Sequence, residues 1–347
     1  MEYLRTDAEY GAWCCYADVS AVLLLQLPLS HNQYCRCRYW VENQTHMFLS
    51  LLLSGFLTLV ELNCENLFDY THDEGKDDTE FLPEATRCWT SHRYWRKLDA
   101  VGRSIVSCSE DGIPDLVALV EIENDNVLHD LTRRSLLRGA GYEYLMTQSD
   151  DPRGIDVALL YSPFSFSPVC YETLTVATPA GMRPTRDILY VQGSLRSGDT
   201  LHVFVVHAPS KYDGARTTRN YRLQVAGTLL AAIGEIRNHS PHAAILVAGD
   251  LNEKPEEPML RELCRGGLYD LTVGAKGSHG AKATYRYQGD WEAIDHILVS
   301  DALFYRHAGT HVNDQPFLLE NDEKYGGVKP RRTYIGPRYH GDRKSVV

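Results

Sequence analysis

The chain has 347 residues, 44% hydrophobic and 23% charged, with 35 Lys and Arg against 46 Asp and Glu and a formal net charge of −11. This composition excludes an intrinsically disordered or collagen-like chain. It also argues against a protein that holds nucleic acid chiefly by neutralising phosphates, because that mode needs a basic face. The length suits one large α/β domain as well as two domains at about 150 residues each, and the nine cysteines show no Cys-x-x-Cys or Cys/His zinc spacing.

Residues 1–46 keep neither a period of two nor one of 3.6 and carry Cys14, Cys15, Cys35 and Cys37. They are left as an unassigned segment, with disorder as one alternative. The apolar run 47–60 is too short for a membrane span, which needs about 20 residues. It reads either as a signal-like stretch of an exported precursor that starts at Met47 or as a buried lead into the first strand. Against the signal reading, no basic residue stands just ahead of it and no Ala-x-Ala-like cleavage site follows. The compartment is open accordingly: export if Met47 is the start, the cytoplasm otherwise. No transmembrane span is expected, and the oligomeric state cannot be read.

From Phe56 onward short β-type runs alternate with amphipathic stretches, the pattern of an α/β domain. Strands are predicted at 56–63, 115–121, 142–146, 157–162, 188–195, 201–207, 244–250 and 294–300. The turn Arg196-Ser-Gly-Asp-Thr200 between the fifth and sixth predicts an antiparallel hairpin, and hence a mixed sheet. Helical spacing appears at Tyr94, Leu98, Val101 and Ile105, less cleanly at Val127, Leu131 and Leu137, and again at Leu223, Ala226, Leu230 and Ile233. Such stripes are what sheet-covering helices need.

Four strands end in polar residues: Asn63 in Leu62-Asn63-Cys64-Glu65-Asn66, Glu121 after Leu119-Val120, His207 in Val206-His207-Ala208-Pro209, and both acid and amide in Gly249-Asp250-Leu251-Asn252. If those strands neighbour each other with matching ends, their side chains converge on one rim. Convergent carboxylates repel one another unless a cation sits among them, and an all-oxygen donor set suits Mg2+ or Mn2+ better than zinc. A carboxylate at the position of Asp250 can orient and deprotonate water, and an amide at Asn252 can bind a non-bridging oxygen. The bland alternatives are an Asx turn or helix cap for Asp250 and a backbone-bonded core histidine for His207, and Asp295-His296 is weaker still as an isolated dyad.

Taken together and in order, these motifs resemble the endonuclease/exonuclease/phosphatase superfamily over residues 57–341. The marks are Glu61-Leu-Asn63-Cys-Glu-Asn66-Leu-Phe-Asp69, Pro114-Asp-Leu-Val-Ala-Leu-Val-Glu121, Arg153-Gly-Ile-Asp156-Val-Ala-Leu-Leu-Tyr161, Val206-His207-Ala-Pro-Ser210, Gly249-Asp250-Leu-Asn252 and Ile294-Asp295-His296. The resemblance implies a four-layer α/β/β/α sandwich of two mixed sheets with a divalent-metal phosphoesterase site at one rim. It further implies that Glu121, assisted by Asn63, holds Mg2+ or Mn2+, that Asp250 positions the attacking water and that Asn252 holds a phosphate oxygen. His207 would bind phosphate or deliver a proton, with Asp156 orienting it, and Asp295 would orient a second histidine near the C-terminus. Glu123 is a rival to Glu121. Arg186, Lys211, Arg219 and Arg222 are cations available to phosphate, though such charges are ordinarily solvated. Tyr285 and Trp291 suit either core packing or stacking on a base or sugar.

The chain departs from the family at its end. A Ser-Asp-His turn and a last core strand should follow Tyr339-His340-Gly341, where the sequence reads Asp342-Arg-Lys-Ser-Val-Val347. His340 stands on the wrong side of the glycine turn to replace the missing histidine. The expectation is reduced turnover and an open sheet edge. The leading function is a phosphodiesterase or nuclease that acts on a phosphate ester, with nucleic acid at most a transient partner. The alternatives are a phosphomonoesterase, or an impaired remnant that only binds phosphate-bearing ligands.

Overall fold

In β2 (Phe56–Leu67) Leu57 and Leu59 point to one side, Val60 and Leu62 to the other, and all four are buried. A strand buried on both faces needs a layer on each. The same holds for β3 (Leu116–Ile122), every residue of which is buried. A computed structural model, describing residues 25–28, 56–109, 112–211, 214–335 and 338–341, supplies those layers.

The first sheet has the order β1-β2-β3-β5-β4, with β1 at Leu25–Pro28, β4 at Glu143–Met146 and β5 at Asp156–Tyr161. The second has the order β10-β13-β9-β8-β7-β6. Its strands are β6 (Phe166–Leu174), β7 (Ile188–Leu195), β8 (Thr200–His207), β9 (Ala244–Asp250), β10 (Tyr269–Asp270) and β13 (Asp295–Val299). The short hairpin β11 (Tyr285–Tyr287) and β12 (Asp290–Glu292) precedes β13. Both sheets are mixed: β2 and β3 run parallel, as do β8 and β9, while β7 and β8 form the expected antiparallel hairpin.

Three apolar layers arise from the alternation. Leu57, Leu59, Ala118, Val120, Val157 and Leu159 of the first sheet meet Val203, Val205, Leu246, Ala248, Ile297 and Val299 of the second. Outside the first sheet lies α1 (Ser91–Val106), which buries Tyr94, Leu98, Val101 and Ile105 against Val60, Leu62, Val117 and Leu119. The segment from α2 (Asp125–His129) through Leu137 joins that layer with Val127, Leu131 and Leu137. Outside the second sheet, α3 (Ala215–His239) and α4 (Pro258–Arg265) pack Tyr221, Val225, Leu229, Ile233, Met259 and Leu263 over Phe204, Val247 and Leu298. The result is a four-layer α/β/β/α sandwich, each buried aliphatic side chain stabilising it by roughly 1.5–3 kcal/mol.

Some elements differ from the sequence reading. β6 has no counterpart among the predicted strands, because Ser167, Val169, Cys170, Tyr171, Glu172 and Thr173 are not buried and the strand shows no alternation. The N-terminal segment contributes β1, which pairs antiparallel with Phe56–Leu59 and occupies that part of the edge of β2. Residues 47–55, with most of the signal-like run, and the atypical end 342–347 lie outside the described residues. Among the described residues no helix is long and apolar enough to cross a membrane.

Candidate active site

The inter-sheet faces carry the site. Continuing the alternation of Val203 and Val205 places His207 on the inner face at the end of β8. Leu246 and Ala248 do the same for Asp250 on β9, as do Ile297 and Val299 for Asp295 on β13. Register then aligns them, since His207 pairs with Asp250 and Asp250 with Asp295. Across the sandwich Leu57 and Leu59 lead to Asn63 on the same inner face.

Glu121 needs a device, because simple alternation would send it outward with Val117 and Leu119. Its φ of 62° and the register shift between Val120 and Ile122 form a bulge, after which Ile122 rejoins the outer layer and Glu121 is left facing the rim. A second irregularity, between Asn63 and Leu67 on β2, sets Glu65 and Asn66 each at φ 54°. It turns the Asn66 N–H onto Glu121 Oε2 at 2.7 Å. Of the six non-glycine residues with positive φ among the described residues, Glu65, Asn66, Glu121 and Asn252 stand at this rim. Strained backbone of this kind persists where the surroundings over-determine it.

Asn63 ties the two sheets together. Its Nδ2 lies 3.5 Å from Glu121 Oε1 and 3.2 Å from Asp250 Oδ2, while its Oδ1 accepts the Glu65 N–H at 2.8 Å. His207 Nε2 lies 3.8 Å from both Glu121 Oε1 and Asp250 Oδ2. Asp250 Oδ1 accepts the Asn252 N–H at 2.8 Å, and Asn252 Nδ2 donates to the Ala208 carbonyl at 3.1 Å. Gly249 makes this approach possible: at its φ of 147° a Cβ would sit 1.8 Å from the Val206 carbonyl oxygen on β8.

The electrostatics are lopsided. Asp250 and Asp295 are buried beside Glu121, and neither oxygen of Asp295 has a hydrogen-bond partner among the described residues. Burial, the Asp295 charge and the Glu121 charge hold Asp250 well above the usual carboxylate range, and burial with the Glu121 charge pushes Asp295 up to about 6. Burial, then the nearby Arg186 and Arg153 guanidiniums, keep the His207 imidazole neutral. Arg186 is itself buried, its Nη2 on the Ala208 carbonyl at 3.0 Å and its Nη1 3.3 Å from Asp151 Oδ2.

Several sequence expectations meet a different geometry. Asp156 Oδ1 accepts the Thr147 hydroxyl at 2.7 Å and the Ser149 N–H at 3.0 Å, and His207 Nδ1 has no hydrogen-bond partner among the described residues, so the two are not brought together by a bond. Glu123, the rival to Glu121, lies past the bulge and accepts the Asp69 N–H at 2.6 Å. His296 is not a partner of Asp295, since neighbours on a strand leave by opposite faces. Arg222 is buried in an ion pair with Glu253, and Lys211 pairs with Glu257. Of the cations singled out by the sequence, Arg186 reaches the rim; residue type alone does not separate it from solvated arginines. Tyr285 is buried, and Trp291 packs against the inter-sheet layer. His340 Nε2 lies 2.6 Å from Glu320 Oε2.

The donor set fits a hard divalent cation. Three crowded carboxylates, two of them held above their ordinary pKa, are the arrangement a cation relieves. Among the described residues no three His, Cys, Asp or Glu groups form a ready-made cage.

The rim closes one end of the four-layer α/β/β/α sandwich. The chain belongs to the endonuclease/exonuclease/phosphatase family, whose model matches residues 58–345. Among curated proteins no sequence matches it. Among solved structures the chain is similar to an endonuclease/exonuclease/phosphatase family protein from Bacteroides thetaiotaomicron, at 14% identity and TM-score 0.49 over 70% of this chain and 81% of that one. It is also similar to the mannosyl-6-phosphatase Bt3783 of the same organism, at 15% identity and TM-score 0.49 over 71% and 86%. A third is the human Nocturnin catalytic domain with bound sulfate, at 17% identity and TM-score 0.44 over 61% and 76%.

Proposed function

We propose that the protein is a divalent-metal-dependent hydrolase of phosphate esters, with a phosphodiester as its substrate. The observation that supports this most directly is the meeting of Asn63, Glu121, His207 and Asp250 at one rim, linked by successive contacts of 3.2 to 3.8 Å. Glu121 would hold Mg2+ or Mn2+, which when bound offsets charge on the phosphoryl and leaving oxygens; Asn63, whose Nδ2 faces Glu121 Oε1 and whose Oδ1 accepts the Glu65 N–H, would assist once its amide turns that oxygen to the ion. Asp250, ionised where a cation offsets the repulsion from Asp295 and Glu121, would orient the attacking water and act as the base that deprotonates it. Asp295 sustains that basicity through its charge. The neutral His207 and the amide of Asn252 take non-bridging phosphate oxygens, and Arg186 supplies positive charge behind them. The attack is in line, and no covalent intermediate is required.

The test is turnover with Mg2+ or Mn2+ on bis(p-nitrophenyl) phosphate, plasmid DNA, inositol phosphates and sphingomyelin. Glu121→Ala and Asp250→Ala are each expected to abolish metal-dependent hydrolysis while leaving the fold intact. Unchanged turnover in either variant refutes the assignment.

A further inference from the structure

On β13 the inner-facing Asp295 is followed by His296, whose fully buried ring enters the outer layer below α4. Both of its nitrogens meet acceptors. Nδ1 lies 2.9 Å from Asp270 Oδ2 on β10 and 2.8 Å from Thr272 Oγ1, whose own proton goes to Asp270 Oδ1 at 2.5 Å. Nε2 lies 2.8 Å from the Glu253 carbonyl oxygen. A ring that serves an acceptor on each side carries a proton on each, so His296 is an imidazolium balanced by Asp270.

Glu253 joins this ring to α3. Its buried carboxylate accepts Arg222 Nε at 2.8 Å on one oxygen and the Met259 N–H at 2.8 Å on the other. Arg222, on α3, also donates to the Pro209 carbonyl at 3.2 Å and to the Thr218 hydroxyl at 2.7 Å. The network therefore grips the backbone directly after Asn252 at Glu253 and two residues past His207 at Pro209.

Buried ion pairs offset much of their attraction by desolvation, so apolar residues of similar volume would serve packing as well. What apolar residues cannot do is fix the direction of a main-chain carbonyl. We infer that Asp270, His296, Glu253 and Arg222 form a buried bracket that positions residues 250–253, and with them Asp250 and Asn252, against His207. Its catalytic consequence rests on the phosphoesterase reading; its conformational content does not.

A matched pair of substitutions separates the two ends of the ring. Glutamine places an amide donor where Nε2 stands, towards Glu253, and asparagine places one where Nδ1 stands, towards Asp270. The bracket predicts that His296→Gln keeps the amides of 251–254 protected from hydrogen exchange and keeps kcat within a few-fold of the wild type. His296→Asn should speed exchange at 251–254 at least tenfold and lower kcat by about 10- to 100-fold, the scale of a misplacement near 1 Å, with KM little changed. Equal behaviour of the two variants in exchange and kcat, or a fall in melting temperature with kcat per folded molecule intact in both, overturns the bracket. Should neither variant fold, nitrogen NMR of the wild type decides: both His296 nitrogens protonated at pH 8 upholds the proposal, and an unprotonated Nε2 defeats it. If the wild type hydrolyses nothing in the substrate panel, the functional reading fails and the exchange contrast alone judges the bracket.

Discussion

Asp250→Asn sets activity against stability. As the base, Asp250 accounts for about 10²- to 10⁴-fold of the rate, and asparagine cannot replace it. The same carboxylate is repelled by Asp295 and Glu121 inside a buried rim, which holds its pKa well above 3.8. The folded chain therefore keeps a proton that the unfolded chain releases above about pH 4, and wild-type stability declines as pH rises through that window. Asparagine removes this decline. It keeps an acceptor for the Asn252 N–H and gives up the contact with Asn63 Nδ2 at 3.2 Å. That loss costs about 0.5–1.5 kcal/mol, whereas each unit of pKa elevation relieved returns about 1.4 kcal/mol. At about 2 °C of melting temperature per kcal/mol for a chain of this size, the variant should melt above the wild type at pH 8 in EDTA. The difference should shrink towards pH 4, and again when saturating Mg2+ offsets the repulsion. The assays are thermal melting across pH and initial rates on bis(p-nitrophenyl) phosphate. A melting temperature that falls along with activity would refute the reasoning and make Asp250 a structural residue.

Other outcomes turn on single positions. Gly249→Ala drives a Cβ to 1.8 Å from the Val206 carbonyl oxygen and should cost at least about 3 kcal/mol in urea unfolding; an unchanged midpoint contradicts the close β8–β9 approach. Glu123 is pushed up to about 9 by burial and by the Asp69, Asp73 and Asp78 charges, so wild-type stability should fall by up to about 1.4 kcal/mol per pH unit between its unfolded value and about pH 9. Glu123→Gln keeps an acceptor for the Asp69 N–H and should flatten that slope in melting curves, and an unaltered slope would mean that Glu123 is ionised in the folded protein.

Much of the site was legible because strand alternation is local. Asn63, His207 and Asp250 each end a strand run, and for His207 and Asp250 the inner-face partners are apolar, so period two placed them without knowledge of the partner strands; Asp295 heads its strand and was legible through the family resemblance. Glu121 was legible as the polar end of its strand, but its direction was not, since the bulge that aims it breaks the alternation and leaves Glu123 a rival by spacing. Arg186 could not be told from Arg219 or Arg222 by residue type, because burial of a guanidinium depends on partners far along the chain, here Asp151 and the Ala208 carbonyl. β6 escaped notice for the opposite reason: an exposed edge strand has no apolar face to write into its sequence. The pairing of β1 with β2 spans a gap in sequence that no periodicity crosses.

A cation shared by Glu121 and Asn63 is the centre of the proposed chemistry. The direct measurement is Mn2+ titration of the wild type and Glu121→Gln by calorimetry, with thermal melting alongside. Binding to the wild type should raise its stability by about 2.7 kcal/mol at a hundredfold excess over Kd, and Glu121→Gln should lose both the binding heat and the shift. Equal affinity in the two proteins, or none in the wild type, would contradict it.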